Sequence, residues 1–372
     1  MQFSSEASNV AHALLLGRGF ADPYMTGPSG PTAQMAPLYP TLYASLCWLF
    51  GTGALGWTAI VAATALAWAF QWFFVYLFAH SEGHGQAGLV AAIVGALLPL
   101  PGRLFKWEAV FTGLALASSA WMVSRILKGD TRIWILVGFG ALLGAGVLLS
   151  PVLILAWPIW GLLILWRQSV RPFAIAVLIA LTIAGVWTVR NFIVFRHFIF
   201  IRDDAGIALV SSNNDCATAL ISENIASGCF AHEHPSGSVA MLEKLMAAGE
   251  YEFSAAEMRR TKDWVRLHPS RFAILTLQRA GYFWFPLDRV DRVSLLNGII
   301  MSAVTVFSLL GIVWVKFDGF LILIAALLPY SLTYYIAQFE QRYRYPVLWI
   351  SLLLASIGME LLIGGRRLHR RV

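Results

Sequence analysis

Charge is scarce in this chain. Only 13% of its 372 residues are Asp, Glu, Lys or Arg, against about a quarter in soluble domains, and mean hydropathy is +0.69. That shortage excludes an ordinary water-soluble globule and makes lipid the main solvent. Signature motifs are lacking too: no P-loop, no GxGxxG ahead of a suitable helix, no HExxH and no GxSxG. Nucleotide-driven and hydrolase readings therefore lack their usual residues. Polar groups are nearly missing from the apolar runs, with Gln71 the clearest exception. A transporter or flippase wants such groups at mid-membrane, so that class is disfavoured. No repeat or low-complexity tract occurs.

What is present is apolar length. Runs at residues 57–78, 107–122, 173–189, 295–315, 320–336 and 346–363 approach or reach the roughly 20 residues that a crossing needs. The chain is a polytopic helical membrane protein. Its net charge of +7 is concentrated: basic residues gather in SRILKGDTR (Arg125, Lys128, Arg132), WRQSVR (Arg167, Arg171) and the tail RRLHRR (Arg366, Arg367, Arg370, Arg371). Each cluster lies beside an apolar run, the positive-inside pattern of cytoplasmic loops. That pattern argues against nucleic acid as a partner.

With those loops inside, the polar stretch between Arg190 and Val293 falls outside. Further spans are expected at 88–99, 133–149 and 152–166, the last two joined only by Ser150-Pro151. Leu38–Phe50 is too short to cross comfortably and reads as an interfacial or re-entrant helix, with Tyr39, Tyr43 and Trp48 at headgroup level. Four regions follow: 1–37, a first extracytoplasmic loop with a juxtamembrane helix; 38–195, an N-terminal transmembrane module; 196–293, an extracytoplasmic cap; and 294–372, C-terminal helices with a basic cytoplasmic tail.

Cys47 lies in an apolar helix and reads as packing. Cys216 and Cys229 both fall in the outer region, where an oxidising compartment permits a bridge. Such a bridge could add about 3 kcal/mol in the chain-entropy model; the alternative is two unpaired thiols. His232, Glu233 and His234 in AHEHP lack a third strong metal ligand nearby and read as a solvated loop. The cap predicts helices with apolar faces at Met241, Leu245 and Met246, then at Met258, Trp264 and Val265, broken at His268-Pro269.

Chemistry in such a protein is sought among ionisable residues at the membrane boundary. Glu6, Glu108 beside Lys106, Arg190, Arg196, Arg202, Arg342 and Arg344 all fall on the outer side of this topology. Carboxylates and arginines at one mouth suit transfer from a phosphate-linked lipid donor: arginine matches phosphate by paired hydrogen bonds, and a carboxylate can take a hydroxyl proton. Taken singly, Glu6 also suits a helix N-terminus, and the arginines suit interfacial anchoring.

The stretches EASNVAHALLLGRGFADPYMTGPSGPTAQMAPLYPTLYASLCWLFG, FKWEAVFTGLAL, VWTVRNFIVFRHFIFIRDDAGIALVSSNND, VRLHPSRFAILTLQRAGYFWF and RYRYP occur in that order. Together they resemble bacterial membrane glycosyltransferases of the GT-C superfamily, the branch similar to dolichyl-phosphate-mannose–protein mannosyltransferases. The resemblance implies an all-α bundle of about nine to ten transmembrane helices under an extracytoplasmic helical cap. It implies an inverting sugar transfer from a polyprenyl-phosphate donor to a glycolipid or protein acceptor. The expected place is the periplasmic face of the bacterial inner membrane, with the C-terminus cytoplasmic. Glu6 matches the family's base and Glu108 its second acidic residue. Arg190, with Lys106 and Arg342 or Arg344, matches the groups that hold the donor phosphate. The resemblance fixes no cofactor, and a divalent metal, which Glu108 could orient, is the one candidate. Two departures stand out. Many relatives carry Asp where this chain has Glu, and the family's first transmembrane helix does not precede Glu6, as a misplaced start codon would explain. The rival class is a non-catalytic partner that binds lipid-linked glycans.

Overall fold

The computed structural model describes residues 5–287 and 292–368. Among them all regular structure is helical, and the only β-type pairing is two isolated bridges. The chain opens with α1 (Glu6–Leu15). Ser5 is its N-cap in extended backbone, and its side chain and that of Ser8 cap each other's backbone amides. This reciprocal box satisfies amides that a helix start leaves unpaired. Ala7, Val10, Ala11 and Ala13 are fully buried against α2 (Leu38–Phe50). The juxtamembrane helix is therefore packed on its apolar face, with Leu14 half-buried at the edge.

The expected headgroup belt on α2 divides. Trp48 is 77% exposed, whereas Tyr39 and Tyr43 are 2% exposed. Tyr39 turns inward because its hydroxyl donates to the Phe105 carbonyl at 2.9 Å and its ring meets Phe111.

The bundle continues as α3 (Ala54–Ser81), α4 (Gly85–Leu97), α5 (Ala109–Leu127), α6 (Ile133–Leu149), α7 (Trp157–Arg167) and α8 (Val170–Phe195). The expected span at 152–166 is instead a 3-10 turn, Pro151–Ala156, followed by the 11 residues of α7. Pro151 and Pro158 lack the amides that a continuous α-helix would use. The cap comprises α9 (Ala205–Ser212), α10 (Ile221–Ala226), α11 (Cys229–Glu233), α12 (Val239–Ala248), α13 (Glu250–Leu267) and α14 (Pro269–Trp284). Then come α15 (Arg292–Ile312), α16 (Phe317–Tyr335) and α17 (Tyr345–Leu368).

Among the described residues five helices are long and apolar enough to cross a bilayer: α3, α5, α8, α15 and most of α16; four shorter apolar segments accompany them. Their exposed surface is greasy. On α8, Leu178 and Val186 are 68% and 72% exposed, the pattern of a helix solvated by lipid. At the centre runs α17, whose Val347, Leu348, Trp349 and Ile350 are fully buried. It crosses α15 closely: a Cβ on Gly311 would sit 1.9 Å from the Leu354 carbonyl oxygen, so only glycine permits the approach. Within the expected tail, Arg370 and Arg371 lie outside the described residues.

The cap has a small core of its own, Ile207, Met241, Leu242, Leu245 and Phe253, into which Tyr24 of the N-terminal loop inserts. Its α13 is rotated from the expected face. Glu250, Phe253, Ser254 and Thr261 are buried, whereas Met258, Trp264 and Val265 are only half-buried. The cause is a close crossing with α9, where Gly206 lies against the Ser254 carbonyl. Cys216 and Cys229 form a disulfide beside this crossing, and Asn214 Oδ1 contacts both sulfurs.

Candidate active site

Glu6 and Glu108 are 102 positions apart, yet one set of contacts gathers their backbones. Ser5, which caps the helix that Glu6 begins, donates through Oγ to the Lys106 carbonyl at 3.3 Å. The 3-10 turn Gly102–Lys106 is held in turn by Tyr39 on the Phe105 carbonyl. Glu108 then stands at the N-cap of α5, but its side chain does not cap the helix. Its carbonyl accepts from the Thr112 hydroxyl at 3.0 Å. Its Oε2 is buried and has no hydrogen-bond partner. A buried carboxylate oxygen without a donor is costly to keep, so this one is an open valence of the site.

Both carboxylates act on the same ion pair. Arg202 Nη2 bonds Asp204 Oδ2, with each side chain less than a quarter exposed. Burial opposes the charge on Arg202, but Asp204, Glu108, Tyr334 and Glu6 together hold its guanidinium above the usual arginine range. Burial raises the Asp204 carboxyl, Arg202 pulls it back, and Glu6 and Glu108 push it up again. Arg202 Nε is buried without a partner.

Arg342 closes the other side. Its guanidinium lies 3.5 Å over the Trp107 ring, and Nε pairs with Glu340 Oε2 at 2.9 Å. Nη2 reaches the Tyr343 hydroxyl at 3.3 Å, and Tyr343 stacks on Tyr334 at 4.2 Å. Burial works against this cation, but Glu340, Tyr343 and Glu108 outweigh it and hold its proton more tightly than usual. The segment is pinned from the cap: Phe339 N donates to Ala219 O at 2.7 Å, and Ile221 N donates to Phe339 O at 3.1 Å.

The cap also reaches Glu6 directly. Ser236 Oγ donates to Glu6 Oε1 at 2.8 Å, and His234 Nε2 is 3.8 Å from the same oxygen. Glu233 and His234 are each 8% exposed, so AHEHP is not the solvated loop expected. Glu233 is paired with Arg260 at 2.7 Å. Ser236 and His234 are the groups that sequence reasoning passed over, along with Asp204, Tyr334, Glu340 and Tyr343. Their meeting depends on long-range packing, and only the spacing of AHEHP hinted at one of them.

Other expected residues are placed elsewhere. Arg190 donates to the Thr32, Phe20 and Asn191 oxygens at 2.8, 3.0 and 3.1 Å. Its guanidinium also lies over Phe20, Trp187 and Phe195. It ties the loop after α1 to the end of α8. Arg344 is fully buried, bonded to Ser351 at 2.6 Å and lying over Trp284 at 4.8 Å. Lys106 contributes its carbonyl to Ser5 and is half-buried. Among the described residues no three His, Cys, Asp or Glu side chains converge as a metal-binding group.

No protein-family model matches the chain, and no curated protein is similar to it in sequence. Solved structures do match in fold. An oligosaccharyltransferase of Archaeoglobus fulgidus, tethered with an acceptor peptide, aligns at TM-score 0.57 and 14% identity over 98% of this chain and 46% of that one. The archaeal oligosaccharyltransferase AglB of the same organism, in complex with an inhibitory peptide and a dolichol-phosphate, aligns at TM-score 0.55 and 14% identity, covering 98% and 47%. ArnT from Cupriavidus metallidurans bound to undecaprenyl phosphate gives TM-score 0.42 and 13% identity, covering 96% and 72%. The chain spans about half the length of the archaeal structures it matches. Its fold is that of these archaeal oligosaccharyltransferase structures, and among the described residues it is an all-α polytopic bundle.

Proposed function

We propose that this chain, folded like the archaeal oligosaccharyltransferase structures, is a GT-C-type membrane glycosyltransferase that transfers a sugar from a polyprenyl-phosphate donor to a glycolipid or protein acceptor, with inversion. The site faces the periplasm of a bacterial inner membrane. One observation carries the reading: Ser5, the cap of the helix that Glu6 begins, bonds the Lys106 carbonyl two residues before Glu108, and Arg342 lies 3.5 Å over the intervening Trp107, so two carboxylates and an arginine meet where the cap reaches Glu6 through Ser236.

In the proposed step an acceptor hydroxyl oxygen attacks the anomeric carbon as its proton passes to Glu6. The bond from that carbon to the phosphate oxygen breaks, and its electron pair leaves with the polyprenyl phosphate. Inversion follows from a single displacement. Arg202 and Arg342 would face the leaving phosphate, since planar guanidinium groups match phosphate oxygens in pairs. Arg190 acts at one remove, holding the loop after α1 through the Phe20 and Thr32 carbonyls. Glu108 adds negative charge beside both arginines.

Radiolabelled sugar transfer from undecaprenyl-phosphate donors by the purified full chain tests this. Glu6→Gln is expected to lower turnover at least about a thousandfold, as loss of a general base together with the ionised carboxylate would. Glu108→Gln is expected to lower it by about tenfold to a hundredfold. Glu6→Gln at the wild-type rate would remove Glu6 from the mechanism.

A further inference from the structure

A carboxylate on the first turn of a short helix would swing freely unless something fixed it, and what fixes Glu6 comes from the cap. We propose that His234 and Ser236 are positioning residues that clamp one oxygen of Glu6, so that the other is presented to the acceptor; this rests on the reading of Glu6 as base.

Both groups converge on Oε1, Ser236 Oγ at 2.8 Å and His234 Nε2 at 3.8 Å. The second distance exceeds a hydrogen bond; catalytic contacts are often long before substrate binds and tighten afterwards. The imidazole itself is held on every side. Its Nδ1 accepts the Ser236 backbone amide at 3.0 Å, which leaves the proton of the neutral ring on Nε2, directed at Glu6. Phe230 stacks on it at 4.6 Å and 15°, and Tyr24 meets it edge-on at 6.3 Å. The turn is tied down from the N-terminal loop, where the Thr26 hydroxyl donates to the Pro235 carbonyl at 2.7 Å. Burial lowers the His234 basicity and Glu6 raises it, with the burial effect prevailing. The ring is therefore neutral near pH 7.

The groups facing this pair are Tyr24, whose phenol is pushed up by burial and then by Glu250, Glu6, Asp204 and Asp203, and the Arg202–Asp204 pair, which feels Glu6. Ser236 bonds Oε1 and the His234 N–H is aimed at the same atom, which fixes the direction of the carboxylate. Oε2 takes the proton from the acceptor hydroxyl.

The test begins without substrate. In 15N-histidine spectra of the full chain in micelles, assigned with His234→Gln, the His234 ring is expected as the Nε2–H tautomer at pH 7. In Glu6→Gln its protonation point should fall by about one pH unit, because the neighbouring carboxylate is gone. An Nδ1–H tautomer, or a protonation point unmoved by Glu6→Gln, overturns the clamp. Turnover with radiolabelled undecaprenyl-phosphate donors separates the two readings. His234→Ala should lower kcat about tenfold with KM unchanged. His234→Gln, which retains a donor, should restore most of the rate. If Glu6→Gln is inactive while His234→Ala keeps the wild-type rate, the clamp is wrong and Glu6 stands. If Glu6→Gln is fully active, the underlying reading fails.

Discussion

Arg342 is held by a flat stack on Trp107 and a bond to Glu340, and both depend on the shape of the guanidinium as well as its charge. Lysine keeps the charge and loses the fork and the stacking plane. Arg342→Lys is therefore expected to lower kcat/KM for the lipid donor about tenfold, whereas a site needing only a cation would leave it unchanged. Away from the site, Glu250 makes the chain sensitive to pH. It is 7% exposed and accepts from Thr32 Oγ1 at 2.6 Å and the Ala33 amide at 2.5 Å. Burial pushes its carboxyl up to about 7, against those two bonds and Arg190, with Asp203 adding to the rise. Nearby Asp203 is pushed up to about 6, again mainly by burial. The folded chain thus holds the Glu250 proton more tightly than the unfolded one. The stability this contributes is fully present below about pH 4.5 and lost as pH rises through about 7. The loss is about 3 kcal/mol. Thermal melts of the detergent-solubilised chain should fall from pH 5.5 to 8, and Glu250→Gln should flatten that slope. An equal slope in the variant would contradict the assignment.

Helices were legible in the sequence where lipid is their solvent. Long apolar runs mark α3, α5, α8, α15 and α16 because the bilayer demands apolar side chains on every exposed turn. The cap resisted the same logic. In α13 the buried face carries Glu250, Ser254 and Thr261, polar groups whose partners are Thr32 and the Ala33 amide of the N-terminal loop, Asp203 ahead of α9, and the Glu257 carbonyl of α13 itself, so apolar periodicity pointed to the wrong side. The turn at Pro151–Ala156 was visible only as a Ser-Pro junction. The disulfide between Cys216 and Cys229 closes the segment that leads into Phe230 and His234. Replacing both cysteines by serine is expected to reduce stability by about 3 kcal/mol and to speed proteolysis within the cap. Unchanged melting and cleavage would mean that packing alone holds this segment.

At the scale of the molecule, the site is a seam between cap and bundle. Residues 6, 108, 202, 204, 234, 236, 334, 340, 342 and 343 contribute to it, so no local motif could announce it. Glu6, Glu108, Arg202 and Arg342 stood out in the sequence because charge is rare in a chain dissolved in lipid. Asp204 and His234 did not, since their meaning lies in the partners that folding supplies. The same distribution explains why the cap cannot be a passive cover: through Ser236, His234 and the Ala219–Phe339 pairing it touches both the proposed base and the segment that carries Arg342. The most direct test of this account is sugar transfer from a radiolabelled undecaprenyl-phosphate donor by the full chain in lipid nanodiscs, with wild type and Glu6→Gln compared at equal protein level. The account predicts transfer by the wild type and a loss of at least about a thousandfold in the variant. Equal transfer by both would contradict it.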